Sequence, residues 1–234
     1  MDAQQWDDLA DMVDFEPDKS AADIAYDFLK EKVEGRGWTL SDLGCGPGSL
    51  TARLGPLFNR VRMIDFSRKM LERAYSEVTG YGVTNVEILQ EDITTYVPDV
   101  KTDVALACAC PPFYRVSDAP KMEIFATKAC VLIMPTLVQD SPVRKILKEM
   151  GVDVHPSIDA ELVEADRSRC HHTESVLFFE TREMLTPLVM KNRCIRYTDG
   201  SSESVKRLDE IISSMDDDER YYDRWSKLVY WELE

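Results

Sequence analysis

Trp38-Thr39-Leu40-Ser41-Asp42-Leu43-Gly44-Cys45-Gly46-Pro47-Gly48-Ser49-Leu50-Thr51-Ala52-Arg53-Leu54 is the stretch on which the fold turns. The apolar run 38–44 breaks at GCGPG, and a helical pattern, SLTARL, begins at once. That is strand, tight turn, helix. Glycine lacks a Cβ, so the chain can turn sharply and a ligand can lie against bare main chain. The amino end of the next helix offers free N–H groups and a positive field suited to a carboxylate or phosphate. A nucleotide of some kind is the expected ligand. The dinucleotide spacing G-x-G-x-x-G fails, because the glycines run G-x-G-x-G with Pro47 before the last. Asp42 would repel a pyrophosphate but can receive the ammonium of an amino-acid ligand.

Working outward, strands and helices alternate. VRMID (61–65), NVEILQED (85–92), TDVALACA (102–109) and CVLIM (130–134) read as strands. The run 67–78 reads as a helix with Met70, Leu71, Ala74, Tyr75 and Val78 inward, and a further helix is expected near 118–128. A helix starting at Ser20 precedes the first strand, and Gly35 and Gly37 end it. SPVRKILKEMG (141–151) has Ser141 as cap and Pro142 at the first helical position. Such alternation implies parallel pairing, right-handed crossovers and a ligand above the carboxyl ends of the strands. Beyond residue 151 the pattern weakens. TESVLFFE (173–180) and KLVYWEL (227–233) read as late strands, with TREMLTPLVM and SVKRLDEIISSM as helices between them. The expected fold class is α/β, a Rossmann-like three-layer sandwich. Its central sheet is mostly parallel, with an antiparallel carboxyl-terminal strand and a helical cap insertion. Residues 1–19 are expected to form a lid or flexible segment, and 20–234 a single domain with a helical substrate cap within 182–224.

DLGCGPG (42–48) resembles motif I of the class I S-adenosylmethionine-dependent methyltransferases. The resemblance covers roughly residues 20–135. It implies S-adenosyl-L-methionine as cofactor and S-adenosyl-L-homocysteine as product, with Asp42, Gly44, Cys45, Gly46 and Gly48 along the methionine half. It further implies that Asp65 accepts the ribose hydroxyls and that Phe66 and Met70 flank the adenosine. Asp92 would accept from the adenine amino group, the Ile93 N–H would face a ring nitrogen, and Cys108 would border the cofactor. The loop Cys110-Pro111-Pro112-Phe113-Tyr114 is similar to the Asn/Asp-Pro-Pro-Tyr/Phe motif of enzymes that methylate planar amines. Here Cys110, a poor acceptor, stands at the polar position. Pro111, Phe113 and Tyr114 are candidate substrate-pocket walls. No catalytic residue stands out, as expected when the cofactor brings an activated methyl group and the protein supplies alignment and water exclusion.

Composition narrows the partners. The chain has 234 residues and a net charge of −15. Residues 1–19 carry seven acids against one base and residues 199–234 eleven against five, so binding to nucleic acid is disfavoured. The expected acceptor is a small molecule or a protein; the oligomeric state is not encoded in any visible pattern. No apolar run approaches a membrane span and the amino terminus is acidic, so the expectation is a cytoplasmic protein with no membrane partner. Cys108, Cys110, Cys170, His171 and His172 lack structural-zinc spacing, and no metal site is expected. The aromatic group Tyr221, Tyr222, Trp225, Tyr230 and Trp231 is read as core packing. Two alternatives share the architecture: a cofactor-binding regulatory module without turnover, and an NAD-dependent oxidoreductase, which Asp42, Pro47 and Asp92 disfavour.

Overall fold

The computed structural model describes residues 3–12, 19–113, 115–135, 142–152, 160–195 and 198–233. In chain order the regular elements are α1 (Ala3–Met12), α2 (Lys19–Val33), β1 (Thr39–Leu43), α3 (Ser49–Leu54), β2 (Arg60–Asp65), α4 (Arg68–Gly80), β3 (Val86–Gln90) and β4 (Thr102–Cys108). Then come β5 (Ala126–Pro135), α5 (Pro142–Glu149), α6 (Ala160–Arg167), β6 (Thr173–Met184), α7 (Pro187–Ile195), α8 (Ser202–Ser214) and β7 (Tyr221–Glu232). The strands form one seven-stranded sheet in the order β3-β2-β1-β4-β5-β7-β6. The first five pair in parallel, as the helical crossovers require. The late strands are antiparallel: the Leu185 N–H donates to Arg220 O, and the Glu232 N–H to His172 O.

The chain divides into two compact units. The first comprises residues 1–134, 159–178 and 226–234. Its core joins Leu40, Val61, Met63, Val104, Leu106, Val131 and Ile133 of the sheet to Ala25, Leu29 and Val33 of α2 and to Ala74 and Val78 of α4. Strands covered on both faces read as continuous apolar runs, hence VALA and CVLIM. Each fully buried Leu, Ile or Val here contributes about 1.5–3 kcal/mol. The second unit comprises residues 135–158 and 179–225. It is built on α5, α7 and α8, which bury Ile146, Leu147, Met190, Cys194, Leu208 and Ile212 among themselves. Ser201 caps α8, its hydroxyl accepting from the Ser204 N–H.

Several boundaries differ from the sequence reading. The helix expected near 118–128 is a 3₁₀ segment, Ala119–Ile124, and β5 starts at Ala126. Ala126 and Ala129 are buried while Thr127 and Lys128 face outward, so the strand extends further back than its apolar centre CVLIM suggests. The first half of TREMLTPLVM continues β6 to Met184, and the helix begins only at Pro187. β7 begins at Tyr221, and α6 has no counterpart in the periodicity reading. Tyr75, expected inward, is 55 % exposed. Within the aromatic group Tyr230 and Trp231 are buried, whereas Tyr221 and Trp225 are exposed. Ser141 lies outside the described residues. Among the described residues no helix is long and apolar enough to cross a membrane.

Candidate functional site

β1, β2 and β4 end together. Register places Asp42 beside Met63 of β2 and Leu106 of β4, and Asp65 beside Gln90 of β3. The turn after β1 is pinned to β2, because the Gly44 and Cys45 N–H groups both donate to Ile64 O, at 2.8 and 3.0 Å. Gly44, Gly46 and Gly48 all adopt positive φ (66°, 52° and 86°), the region in which side chains are strained. Their surroundings differ. A Cβ on Gly44 would lie 2.5 Å from Cys110 Sγ and 3.8 Å from Ile93 Cδ1. One on Gly48 would lie 2.8 Å from Ala74 Cα, so this glycine lets α4 press against the start of α3. Nothing stands within 4 Å of the corresponding point on Gly46. The middle glycine alone leaves its backbone open.

Two acids flank this turn. Asp42 is 2 % exposed, and its Oδ2 accepts from Thr51 Oγ1 at 2.6 Å. Burial, reinforced by the charge of Asp65, pushes its pKa up to about 6, and the Thr51 hydrogen bond opposes that rise. Asp65 is 7 % exposed. Its Oδ2 accepts from the Gly46 N–H at 3.0 Å and its Oδ1 from the Ser67 N–H at 2.9 Å. Burial raises its pKa too, against those backbone donors. A bound cation would relieve both carboxylates. The Cys45 and Cys110 thiols are buried, which holds their pKa values well above the ordinary range.

Around this pair the remaining sequence candidates divide. Ile93 is half-buried, its Cδ1 3.8 Å from the point that a Cβ on Gly44 would occupy. Asp92 is exposed and stands apart from the two buried acids in its contacts: its Oδ1 accepts from the Thr94 N–H and hydroxyl at 2.9 and 2.6 Å. Phe66 is half-buried and its carbonyl accepts from Gln90 Nε2, while Met70 is 1 % exposed in the core face of α4. Cys108 is half-buried, Pro111 exposed and Phe113 buried; Tyr114 lies outside the described residues. Ala109 has φ +47°, the left-handed region in a residue other than glycine, with its N–H donating to Ile133 O. That turn carries Cys110 under the glycine loop.

Cys108 and Cys110 sit at the carboxyl end of β4. Cys170 and His171 instead border a cleft with Lys101, Glu123 and Thr127, at the amino ends of β4 and β5. A strand length, about 20 Å, therefore separates the two halves of the Cys/His set. Among the described residues no three His, Cys, Asp or Glu side chains are grouped so as to hold a metal ion.

Three participants escaped the sequence reading. Thr51 lies nine residues beyond Asp42, and no spacing rule links a helix hydroxyl to the strand acid before it. Ser67 caps α4 by accepting from the Met70 N–H at 3.2 Å, a role its place before a helical run could have suggested. Asp7 of α1 accepts from Ser67 Oγ at 2.5 Å and from the Lys69 N–H at 3.2 Å, and Arg73 donates to Ala10 O. These bonds dock the amino-terminal helix on α4.

Residues 41–132, from inside β1 to inside β5, match the family model described as a methyltransferase domain. That match spans 92 of the 234 residues, the glycine loop among them. Solved structures share its fold at low identity. YcgJ from Bacillus subtilis superposes with a TM-score of 0.57 at 15% identity, covering 88% of this chain and 97% of that one. A SAM-dependent methyltransferase from Thiobacillus denitrificans, in complex with S-adenosyl-L-homocysteine, gives 0.55 at 15% identity over 89% and 90%. One from Geobacter sulfurreducens, with the same ligand, gives 0.55 at 14% identity over 94% and 92%. No curated protein matches the sequence. What the chain shares with these structures is the Rossmann-like fold, mostly parallel with antiparallel late strands.

Proposed function

We propose that this chain is a S-adenosylmethionine-dependent methyltransferase acting on a small molecule or a protein. One observation carries the reading: two buried acids, Asp42 and Asp65, flank the open backbone of Gly46 at the carboxyl ends of adjacent parallel strands. A cationic amino-acid nucleoside suits that arrangement. Asp42 would take the ammonium, its remaining lone pairs being free after Thr51 is served. Asp65 has spent one lone pair of each oxygen on backbone N–H groups and keeps the others for two ribose hydroxyls. Phe66 and Ile93 would flank the adenine, with Asp92 accepting from its amino group. When bound, S-adenosylmethionine supplies the activated methyl group. The domain's own part is to bind, align and keep water out. Cys108, Pro111, Phe113 and Tyr114 belong to the acceptor side of this proposal. α1, tied to Ser67 two residues beyond Asp65, serves as the lid.

Calorimetric titration with S-adenosylmethionine and S-adenosylhomocysteine tests the reading; no binding by either at high micromolar concentration removes it. A thermal shift with NAD and none with S-adenosylmethionine would turn the assignment to an oxidoreductase. A second reading, a module that binds the cofactor without turnover, is favoured by Cys110, whose buried thiol packs under Gly44 at the position where amine methyltransferases place an amide or carboxylate. Release of S-adenosylhomocysteine on incubation with a metabolite panel excludes that module.

A further inference from the structure

The Thr51 hydroxyl is the one side-chain group hydrogen-bonded to Asp42 among the described residues. Both side chains are enclosed, Thr51 at 0 % and Asp42 at 2 % exposure, so water cannot replace the bond if it is lost. Thr51 lies in α3, one turn beyond the glycine loop, with its backbone fixed by the helix and by the Gly48–Ala74 contact at that helix's start. The donor is therefore rigid as well as dry. The other titratable groups facing Asp42 work in the opposite direction. Asp65 on β2 presents a like charge, while the Cys45 thiol in the loop and the Cys110 thiol after β4 are held neutral by burial. Among the described residues no cationic side chain is hydrogen-bonded to Asp42 or Asp65. A carboxylate in such a place gives up its proton only above the ordinary carboxylate range.

We propose that Thr51 is a positioning residue: it keeps Asp42 deprotonated and oriented to receive a ligand ammonium, and ligand binding drives a proton off the Asp42–Asp65 pair. The inference rests on the functional reading above, in that it requires an amino-acid ligand at Asp42. Charge balances in the step. A cation enters, one carboxyl O–H breaks, the electron pair stays on Asp42, and the proton leaves to buffer. The direction with pH follows. Below about pH 6 Asp42 is largely protonated in the free protein, and cation binding must spend free energy removing that proton; above about pH 7.5 the cost is gone. Taking away the hydroxyl removes an interaction made with the charged form, which moves the whole dependence to higher pH.

The experiment is isothermal titration of S-adenosylhomocysteine into the full chain at pH 5.5 to 8.5, in buffers of differing ionisation enthalpy, for wild type, T51V and T51S. Wild type should release on the order of half a proton per ligand bound near pH 6 and close to none at pH 8.5. T51V should bind about 3-fold more weakly than wild type near pH 6.5 and within about 2-fold at pH 8.5, with the profile moved up by roughly one pH unit. T51S should return to the wild-type profile, because it restores the hydroxyl. The deaminated analogue of the ligand, which has no ammonium, should show no proton release. A pH-independent wild-type affinity, a T51V loss that is equal at every pH, or a T51S profile matching T51V overturns the role given to Thr51 while leaving the cofactor reading intact. No binding by wild type at any pH overturns the cofactor reading and this inference with it. Should T51V fail to fold, the wild-type proton count and the deaminated analogue decide the matter between them.

Discussion

Replacing Gly44 with alanine adds one methyl group at a point where two separate penalties meet. The backbone has φ +66°, which costs a residue other than glycine about 1–2 kcal/mol. The new Cβ would also stand 2.5 Å from Cys110 Sγ, too close for any real contact, and overpacking of that kind costs about 1–3 kcal/mol. Gly44→Ala should therefore destabilise by roughly 2–5 kcal/mol. The two penalties can be separated, since the obstructing atom belongs to a side chain. In Cys110→Ala the sulfur is gone and the nearest remaining atom, the Cβ of residue 110, lies at 3.6 Å, an ordinary contact. The double variant should keep the backbone cost and lose the collision. Urea titrations of the wild type, both single variants and the double variant form the cycle, with m-values held in common. The expected coupling is about 1–3 kcal/mol in favour of the double variant. Additivity within about 0.5 kcal/mol would refute the packing argument and with it the placement of Cys110 beneath the loop.

Other perturbations probe the site and, in the last case, the opposite end of the sheet. Asp42→Asn should raise stability at pH 8 by on the order of 1–2 kcal/mol, seen as a higher Tm, while weakening S-adenosylhomocysteine binding at least about 10-fold. The sign follows from the raised pKa: the folded state holds the proton more tightly than the unfolded chain, so wild-type stability falls as pH climbs from about 4 to about 6 and is flat above, and the asparagine variant should lose that slope. Ser67→Ala removes both the cap of α4 and the anchor of Asp7. A loss of about 1 kcal/mol in urea melts and faster proteolysis within residues 1–19 are expected; an unchanged cleavage rate would detach α1 from Ser67. Arg167→Met leaves Glu123 without its closest cation and should cost roughly 3 kcal/mol, whereas a loss under about 1 kcal/mol would show the pair to be idle.

What the sequence disclosed and what it withheld have separate physical causes. β4 and the centre of β5 were readable because covering both faces forces unbroken apolar runs, and GCGPG was readable because positive φ at alternate positions favours glycine. Asp42 and Asp65 could be placed at one edge because each ends a strand that pairs in parallel with its neighbour. Thr51 and Asp7 were invisible. Their partners lie across a turn or sixty residues away, and nothing in a threonine or aspartate marks it in advance. Past residue 151 the reading failed at strand ends, because TREM can be written with either period and only pairing with β7 decides for extended chain. Tyr75 sits at the margin of its helix stripe, where an aromatic ring with a polar tip can turn to water.

Gly48 and Ala74 carry a consequence for how this protein can change over time. With backbone against backbone at that crossing, there is no room for even a Cβ at residue 48, and neither partner can drift without the other. The wall that the proposed function gives to the cofactor is in effect a fixed jig. Under the proposed function, a change of methyl acceptor would have to be accommodated from the opposite bank, in residues 108–113, where a left-handed alanine marks the bend.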